Sequence, residues 1–298
     1  MSLRAEIVRL CLTWFTRPAA PLDARLEQVR RQVARYAHLI PPPPRGTEVT
    51  VVDAGGVKAE LVTTRHSRPD RHILHLHGGA YLIGFPALFR DFTWRIAAAA
   101  RARVLCIDYR LAPEHPFPAA LEDALTAYRW LLAEGAAARH VAFVGDSSGG
   151  GLALASLMRL RNEGAPLPAA AALLSPWTDL ALTGRSLSEF GPSDPMIPVE
   201  LMPAAVELYL AGADPRSPDA SPLYGDAAGL PPTLIQVGSE EALRDDSVRM
   251  AERLKAAGCE VEIEVWPRMF HVWQMFARIV PEARAAIAHI GAFLQPRL

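Results

Sequence analysis

From Glu48 onward, short runs of β-branched and other apolar residues alternate with longer stretches rich in Ala, Leu and Arg, whose apolar positions recur at helical spacing. Runs that are apolar throughout, rather than at every second position, suit strands covered on both faces, so the alternation predicts an α/β fold: a mostly parallel sheet flanked by helices. The pattern predicts eight strands, at 48–52, 59–63, 73–77, 104–108, 141–144, 171–175, 233–237 and 261–265, the first two as an antiparallel pair at the sheet edge. Helices are predicted at 89–101, 119–134, 150–163, 246–257 and 281–293.

Two regions break the alternation. Residues 1–45 have a helical period and end in the stiff run Pro41 to Pro44, which marks them as a separate N-terminal segment ahead of a main domain at 46–298. Within that domain, about 183–213 forms an insertion in which SLSEFGPSDPMIP precedes the amphipathic stretch 199–210. Long insertions on a rigid scaffold often build binding pockets, so the two regions together are expected to form a lid; the alternative is surface padding.

Composition narrows the class. With 298 residues, half of them hydrophobic, the chain is long enough for one large α/β domain with an appendage. The formal net charge of −1, from 31 basic and 32 acidic residues, supplies no field for nucleic acid or an anionic membrane. Cys11, Cys106 and Cys259 are odd in number and lack metal-ligand or redox spacing; they read as core filler in a reducing compartment. The start, MSLRAEIVRLCLTWFTRP, carries Arg9 within its apolar stretch and no small-residue cleavage site, so no secretion signal is read there. No segment approaches the ~20 apolar residues that span a bilayer. The expectation is a soluble, cytoplasmic protein.

The strongest chemical signal is VAFVGDSSGGGLALASLMRL, where an apolar strand runs into Gly145-Asp146-Ser147-Ser148-Gly149 and then a helix. Gly-x-Ser-x-Gly between strand and helix is a tight turn that exposes a serine hydroxyl, with small residues where side chains would collide. The free N–H groups at the helix start face the charge that develops during attack. Ser147 is therefore the candidate nucleophile.

A serine needs a base to take its proton and a carboxylate to orient that base, in chain order serine, acid, histidine for this type of turn. Of nine histidines, only His271 and His289 lie beyond the last two strands. His271, in WPRMFHVWQMF, is placed to follow the last strand, whereas His289 falls inside a predicted surface helix. The acid is sought after the preceding strand, where Glu240, Glu241, Asp245 and Asp246 all qualify by position. Glu240, Asp245 and Asp246 also read as solvated charges, and Asp245 or Asp246 as helix caps. His77-Gly78-Gly79-Ala80 follows the third strand, at the loop that presents backbone N–H groups to an oxyanion; Gly78, Gly79 and Ser148 are the predicted donors. A phosphate cradle is the alternative for these glycines, but Gly-x-Gly-x-x-Gly and Gly-x-x-x-x-Gly-Lys are both absent.

Four blocks together resemble the hormone-sensitive-lipase-like (family IV) esterases of bacteria, within the α/β-hydrolase superfamily. They are His77-Gly78-Gly79-Ala80-Tyr81, Asp108 through Glu114, Gly145 through Gly150, and the pair Leu243-Arg244-Asp245 with Phe270-His271-Val272. The resemblance covers about 45–298 and implies an α/β-hydrolase fold with a helical cap, a small-molecule ester substrate of short-to-medium acyl chain, and no cofactor. It also implies the acid. The family commonly has aspartate two residues before the leucine of its Asp-Pro-Leu block, a position held here by Glu241. Ala80 and Ser148 replace a glycine and an alanine, at positions that contribute backbone. Arg110 and Glu114 are expected to ion-pair near the site. Met196, Leu201, Met202 and Tyr209 are expected to shape the acyl pocket.

The expected activity is thus a serine carboxylesterase acting through an acyl-enzyme. A lactone hydrolase or a small-molecule deacetylase would use the same triad; a true lipase is the least favoured reading, because the sequence shows no long apolar lid that would open onto an oil surface. A non-catalytic binding protein on the same fold would have lost the serine or histidine. An exposed edge strand would permit a homodimer.

Overall fold

Successive strand residues point to opposite faces, and in this protein both faces are apolar. Ile73, Ala142, Val144, Ala172 and Leu234 belong to one buried cluster, whereas Leu74, Phe143, Ala171, Leu173 and Ile235 belong to the other. A sheet with two such faces needs helices on both, which is why its strands read as continuous apolar runs. The computed structural model describes residues 1–16 and 22–298.

The strands are β1 (Thr47–Asp53), β2 (Lys58–Thr64), β3 (His72–Leu76), β4 (Arg103–Ile107), β5 (Val141–Asp146), β6 (Ala170–Leu174), β7 (Thr233–Gly238) and β8 (Val261–Trp266). They form a single sheet in the order β1-β2-β4-β3-β5-β6-β7-β8. β1 and β2 pair antiparallel at the sheet edge in a mostly parallel sheet, as the pattern predicts; β2 is also antiparallel to β4, and every later pairing is parallel.

Helices α1 (Leu3–Thr16) and α2 (Leu22–Ala37) make up the described part of the N-terminal segment; the stretch 17–21 of that segment lies outside the described residues. The others are α3 (Arg90–Ala100), α4 (Ala119–Ala133), α5 (Ser148–Asn162), the short α6 (Ser186–Glu189), α7 (Met202–Leu210), α8 (Arg244–Ala256) and α9 (Pro281–Leu294). α3 and α9 cover one face, while α4, α5 and α8 cover the other. α1 packs beside α9 through Ala5 and Val8, and α2 joins the opposite cluster through Leu22 and Leu26. Among the described residues, no helix is long and apolar enough to cross a membrane.

Of the cysteines read as core filler, only Cys106 is buried; Cys259 is half-buried and Cys11 is exposed, because α1 turns that side of its surface outward.

Candidate active site

In a parallel sheet the loops leaving the C-terminal strand ends collect along one edge, and here five neighbouring strands, β3 and β5 to β8, deliver the site. β5 ends at Asp146, and Ser147 follows with φ 54° and ψ −124° before α5 begins. That backbone region is costly for a residue with a Cβ, about 1–3 kcal/mol, and persists only where the surroundings enforce it. The Ser147 N–H donates to Leu174 O (2.8 Å), and its carbonyl accepts from Trp177 N (2.9 Å) and Gly150 N (3.0 Å). A Cβ at Gly149 would collide with the Leu76 carbonyl at the end of β3, so glycine there lets the turn press against the neighbouring loop.

His271, beyond β8, places Nε2 2.9 Å from Ser147 Oγ and Nδ1 2.8 Å from Glu241 Oε2. Glu241, beyond β7, is fully buried. Its other oxygen accepts the Ser175 hydroxyl (2.9 Å) and the Gly238 N–H, so the carboxylate has one orientation available. Ser175, at the end of β6, also accepts the Val272 N–H (3.3 Å). Ser175 and Val272 both have positive φ, 46° and 49°, so the loops flanking the imidazole are held in unfavourable backbone conformations. Sequence reading missed Ser175; its only signal was its place at a strand's C-terminal end.

Burial works to lower the basicity of His271, but the hydrogen bond and charge of Glu241 outweigh it, and the imidazole titrates above its ordinary value. Burial pushes the Glu241 carboxyl upward, opposed by His271. His77 is a poor base by contrast. Burial takes it down to about 4, and its ring is stacked against Tyr109 (centroids 4.2 Å apart) and Phe89 with Nδ1 on Gly78 O.

The oxyanion loop differs from expectation at one donor. The Gly78 N–H donates to Asp146 Oδ2 (3.0 Å), whose partner oxygen meets His75 Nε2 (3.1 Å), so this amide is already engaged. Among the described residues, no acceptor takes the N–H groups of Gly79, Ala80 or Ser148. These three are the amides open to an oxyanion. Gly79 has φ 124°, and a Cβ there would collide with the Ile83 carbonyl. Gly79→Ala must therefore displace the loop, and kcat for p-nitrophenyl butyrate is expected to fall by about 10²–10³, the effect of losing one such donor. Wild-type kcat in this variant would remove the loop from the reaction.

Other expected partners are corrected. Arg110 pairs with Asp123 and Glu122 on α4 rather than with Glu114, whose carboxylate is taken by Arg30 of α2 (2.6 Å). Arg30 also donates to the Leu82 and Ala112 carbonyls, tying α2 to the loops after β3 and β4. Neither Asp245 nor Asp246 caps α8 through its side chain. Asp245 accepts the Ser186 N–H, and Asp246 is buried, accepting from Thr178 N and Asp179 N (2.8 and 2.9 Å). Burial, with the nearby Asp179 charge, pushes Asp246 up to about 7. His289 is exposed on α9 and meets Glu264. Tyr209 is buried and stacks on Tyr81 of the oxyanion loop, centroids 3.8 Å apart, whereas Met196 packs with the cluster around Phe270 on the other side. Among the described residues, no group of three or more His, Cys, Asp or Glu is arranged to hold a metal ion.

The chain is also similar to known proteins. Residues 73–275 match the model of a family described as having the alpha/beta hydrolase fold. The chain is 46% identical over 293 residues to an acetyl-hydrolase of Streptomyces hygroscopicus, covering 97% of this chain and 95% of that protein. It is 34% identical to an esterase of Acinetobacter venetianus over 93% of this chain and 91% of the other. Among solved structures, an esterase of the bacterial hormone-sensitive lipase family superposes with a TM-score of 0.94 at 43% identity, covering 100% of this chain and 99% of that one.

Proposed function

Since the chain belongs to the α/β-hydrolase fold family and is a carboxylic ester hydrolase of the hormone-sensitive-lipase-like group, we propose that Ser147, His271 and Glu241 are its triad and that short-to-medium acyl esters are its substrates. The observation that carries the reading is the unbroken chain Ser147 Oγ to His271 Nε2 and His271 Nδ1 to Glu241 Oε2, at 2.9 and 2.8 Å.

In this mechanism His271 Nε2 takes the proton from Ser147 Oγ as the oxygen bonds to the ester carbonyl carbon. The resulting oxyanion accepts from the Gly79, Ala80 and Ser148 amides. The carbon–oxygen bond to the alcohol then breaks, and the alcohol leaves with the proton held by His271. A water gives its proton to His271 and attacks the acyl-enzyme; release of the carboxylic acid returns the proton to Ser147. Glu241 keeps the Nδ1 proton in place and faces the imidazolium formed in both attacks.

α1, α2 and the 183–213 insertion act in this proposal as the cap over the acyl pocket. Support comes from Arg30 gripping two loops beside the oxyanion loop and from the stack of Tyr209 on Tyr81. A fully buried aromatic pair leaves little depth above the oxyanion loop, which favours short acyl groups. The name of the Streptomyces relative points the same way.

The test is a panel of p-nitrophenyl esters from acetate to dodecanoate, run beside lactones and acetamides. Expected is a maximum at or below the octanoate, with esters ahead of both other classes; faster turnover of a lactone or acetamide would replace the substrate class. Only neutral imidazole accepts the serine proton, so kcat/KM should rise with pH through the raised His271 pKa, with its midpoint above the ordinary ~6.5. A midpoint below that value would contradict the pairing with Glu241.

A further inference from the structure

The insertion between β6 and β7 reaches the triad through a carboxylate that sequence reading passed over. Asp194 lies between α6 and α7. Its Oδ1 accepts the N–H groups of Met196 (2.8 Å) and Ile197 (3.0 Å), closing its own turn. That duty needs one oxygen. Its Oδ2 crosses to another part of the chain and accepts the N–H of Ala242 (2.8 Å), the residue directly after Glu241. The Ala242 carbonyl is held from the same insertion, by the Ser186 hydroxyl (2.6 Å). Both polar groups of Ala242 are thus bonded to the insertion, while the Glu241 side chain is held by Ser175 and Gly238.

We propose that Asp194 is a positioning residue for ester hydrolysis: it holds Ala242, and with it Glu241, in register with His271, and its negative charge supports the imidazolium formed during attack.

The charges facing His271 fit this role. Glu241 approaches from the loop after β7, Asp194 from the insertion and Asp146 from the end of β5, and all three favour the protonated ring. The cation nearest in sequence to this acid loop, Arg244, is occupied elsewhere: it meets Glu189 and Asp245 and lies over the Phe190 ring. The insertion thereby contributes to the chemistry as well as to the walls of the pocket.

The inference rests on the triad reading, and its test separates the two. Asp194→Asn and Asp194→Ala, in the full chain, are assayed on p-nitrophenyl butyrate across the range in which histidine titrates, and the His271 imidazole is followed by NMR. Misplacing a reacting group by a fraction of an ångström to an ångström costs up to about a hundredfold, so kcat is expected to fall roughly ten- to hundredfold, with KM changing less. Removing a carboxylate that favours the imidazolium moves the acid limb of kcat/KM and the NMR titration together to lower pH. A residue that merely closes a turn would lower the melting temperature and leave both titrations unmoved. That result, or kcat within about twofold of wild type, overturns the proposal. Should Asp194→Ala not fold, Asp194→Asn keeps an acceptor for the turn and carries the same readouts. Failure of the triad itself would show separately, as turnover surviving Ser147→Ala; failure of this inference leaves that control inactive and the Asp194 variants unimpaired.

Discussion

Ser147→Ala is expected to remove p-nitrophenyl butyrate hydrolysis almost entirely, by about 10⁶ in kcat, the size of loss seen when the nucleophile of such a triad is deleted. What remains is the contribution of binding and of the free amides at Gly79, Ala80 and Ser148, which raise the rate of attack by water without a covalent step. The fold should survive. Among the described residues, the Ser147 hydroxyl bonds only to His271 Nε2, whereas the turn is held by backbone bonds to Leu174, Trp177 and Gly150 that alanine retains. Circular dichroism and the melting temperature should therefore stay close to wild type while turnover disappears. Turnover within about a hundredfold of wild type would mean that another group attacks the ester.

Replacing Glu241 by glutamine should cost about 10⁴ in kcat, the effect of the corresponding amide exchange in a serine triad. The physical cause is a conflict of donors. Glu241 accepts on both oxygens, from His271 Nδ1–H on one side and from Ser175 Oγ–H and Gly238 N–H on the other. Glutamine has one accepting oxygen. If its amide nitrogen faces His271, it donates to Nδ1, forces the ring proton onto Nε2 and removes the base; if it faces Gly238, two donors meet in a buried site. Asp245→Asn is the matched control. Asp245 accepts the Ser186 N–H and meets Arg244 at 3.2 Å, and it has no contact with His271, so its loss should change kcat by less than about threefold. A larger effect at Asp245 than at Glu241 would assign the triad carboxylate to the wrong residue.

The parts of the site legible in the sequence were those with local causes. Gly145 through Gly149 announced itself because a strained turn between strand and helix tolerates few residues. His271 followed from chain order and from the position of the last strand. Glu241 was different: Glu240, Glu241, Asp245 and Asp246 lie within one short segment, and only the resemblance to known esterases separated them. The structure supplies the physical distinction. Of the four, Glu241 alone faces Ser175 and His271, Asp246 turns toward Thr178 and Asp179, and Asp245 reaches Ser186.

Two of the misplaced contacts have bonding partners distant in sequence. The N–H of Gly78, one of the expected oxyanion donors, is engaged by Asp146, 68 residues away, and Glu114 meets Arg30, 84 residues earlier, instead of its near neighbour Arg110. A glycine-rich loop reveals that backbone amides are accessible, but which amide remains free depends on the acceptors that tertiary packing brings up.

By itself, the sequence determined the positions of the eight strands along the chain, the two-sided sheet and the turn that presents Ser147. These follow from periodicity, steric limits and apolar patterning, all expressed within a few residues. Only the tertiary structure decided which carboxylate meets His271, that Gly79, Ala80 and Ser148 hold the open amides, and that Asp194 reaches from the insertion to the loop carrying Glu241. Hydrogen bonds form between groups a few ångströms apart in space, and proximity of that kind is created by strand order and loop packing, which no local stretch of sequence encodes.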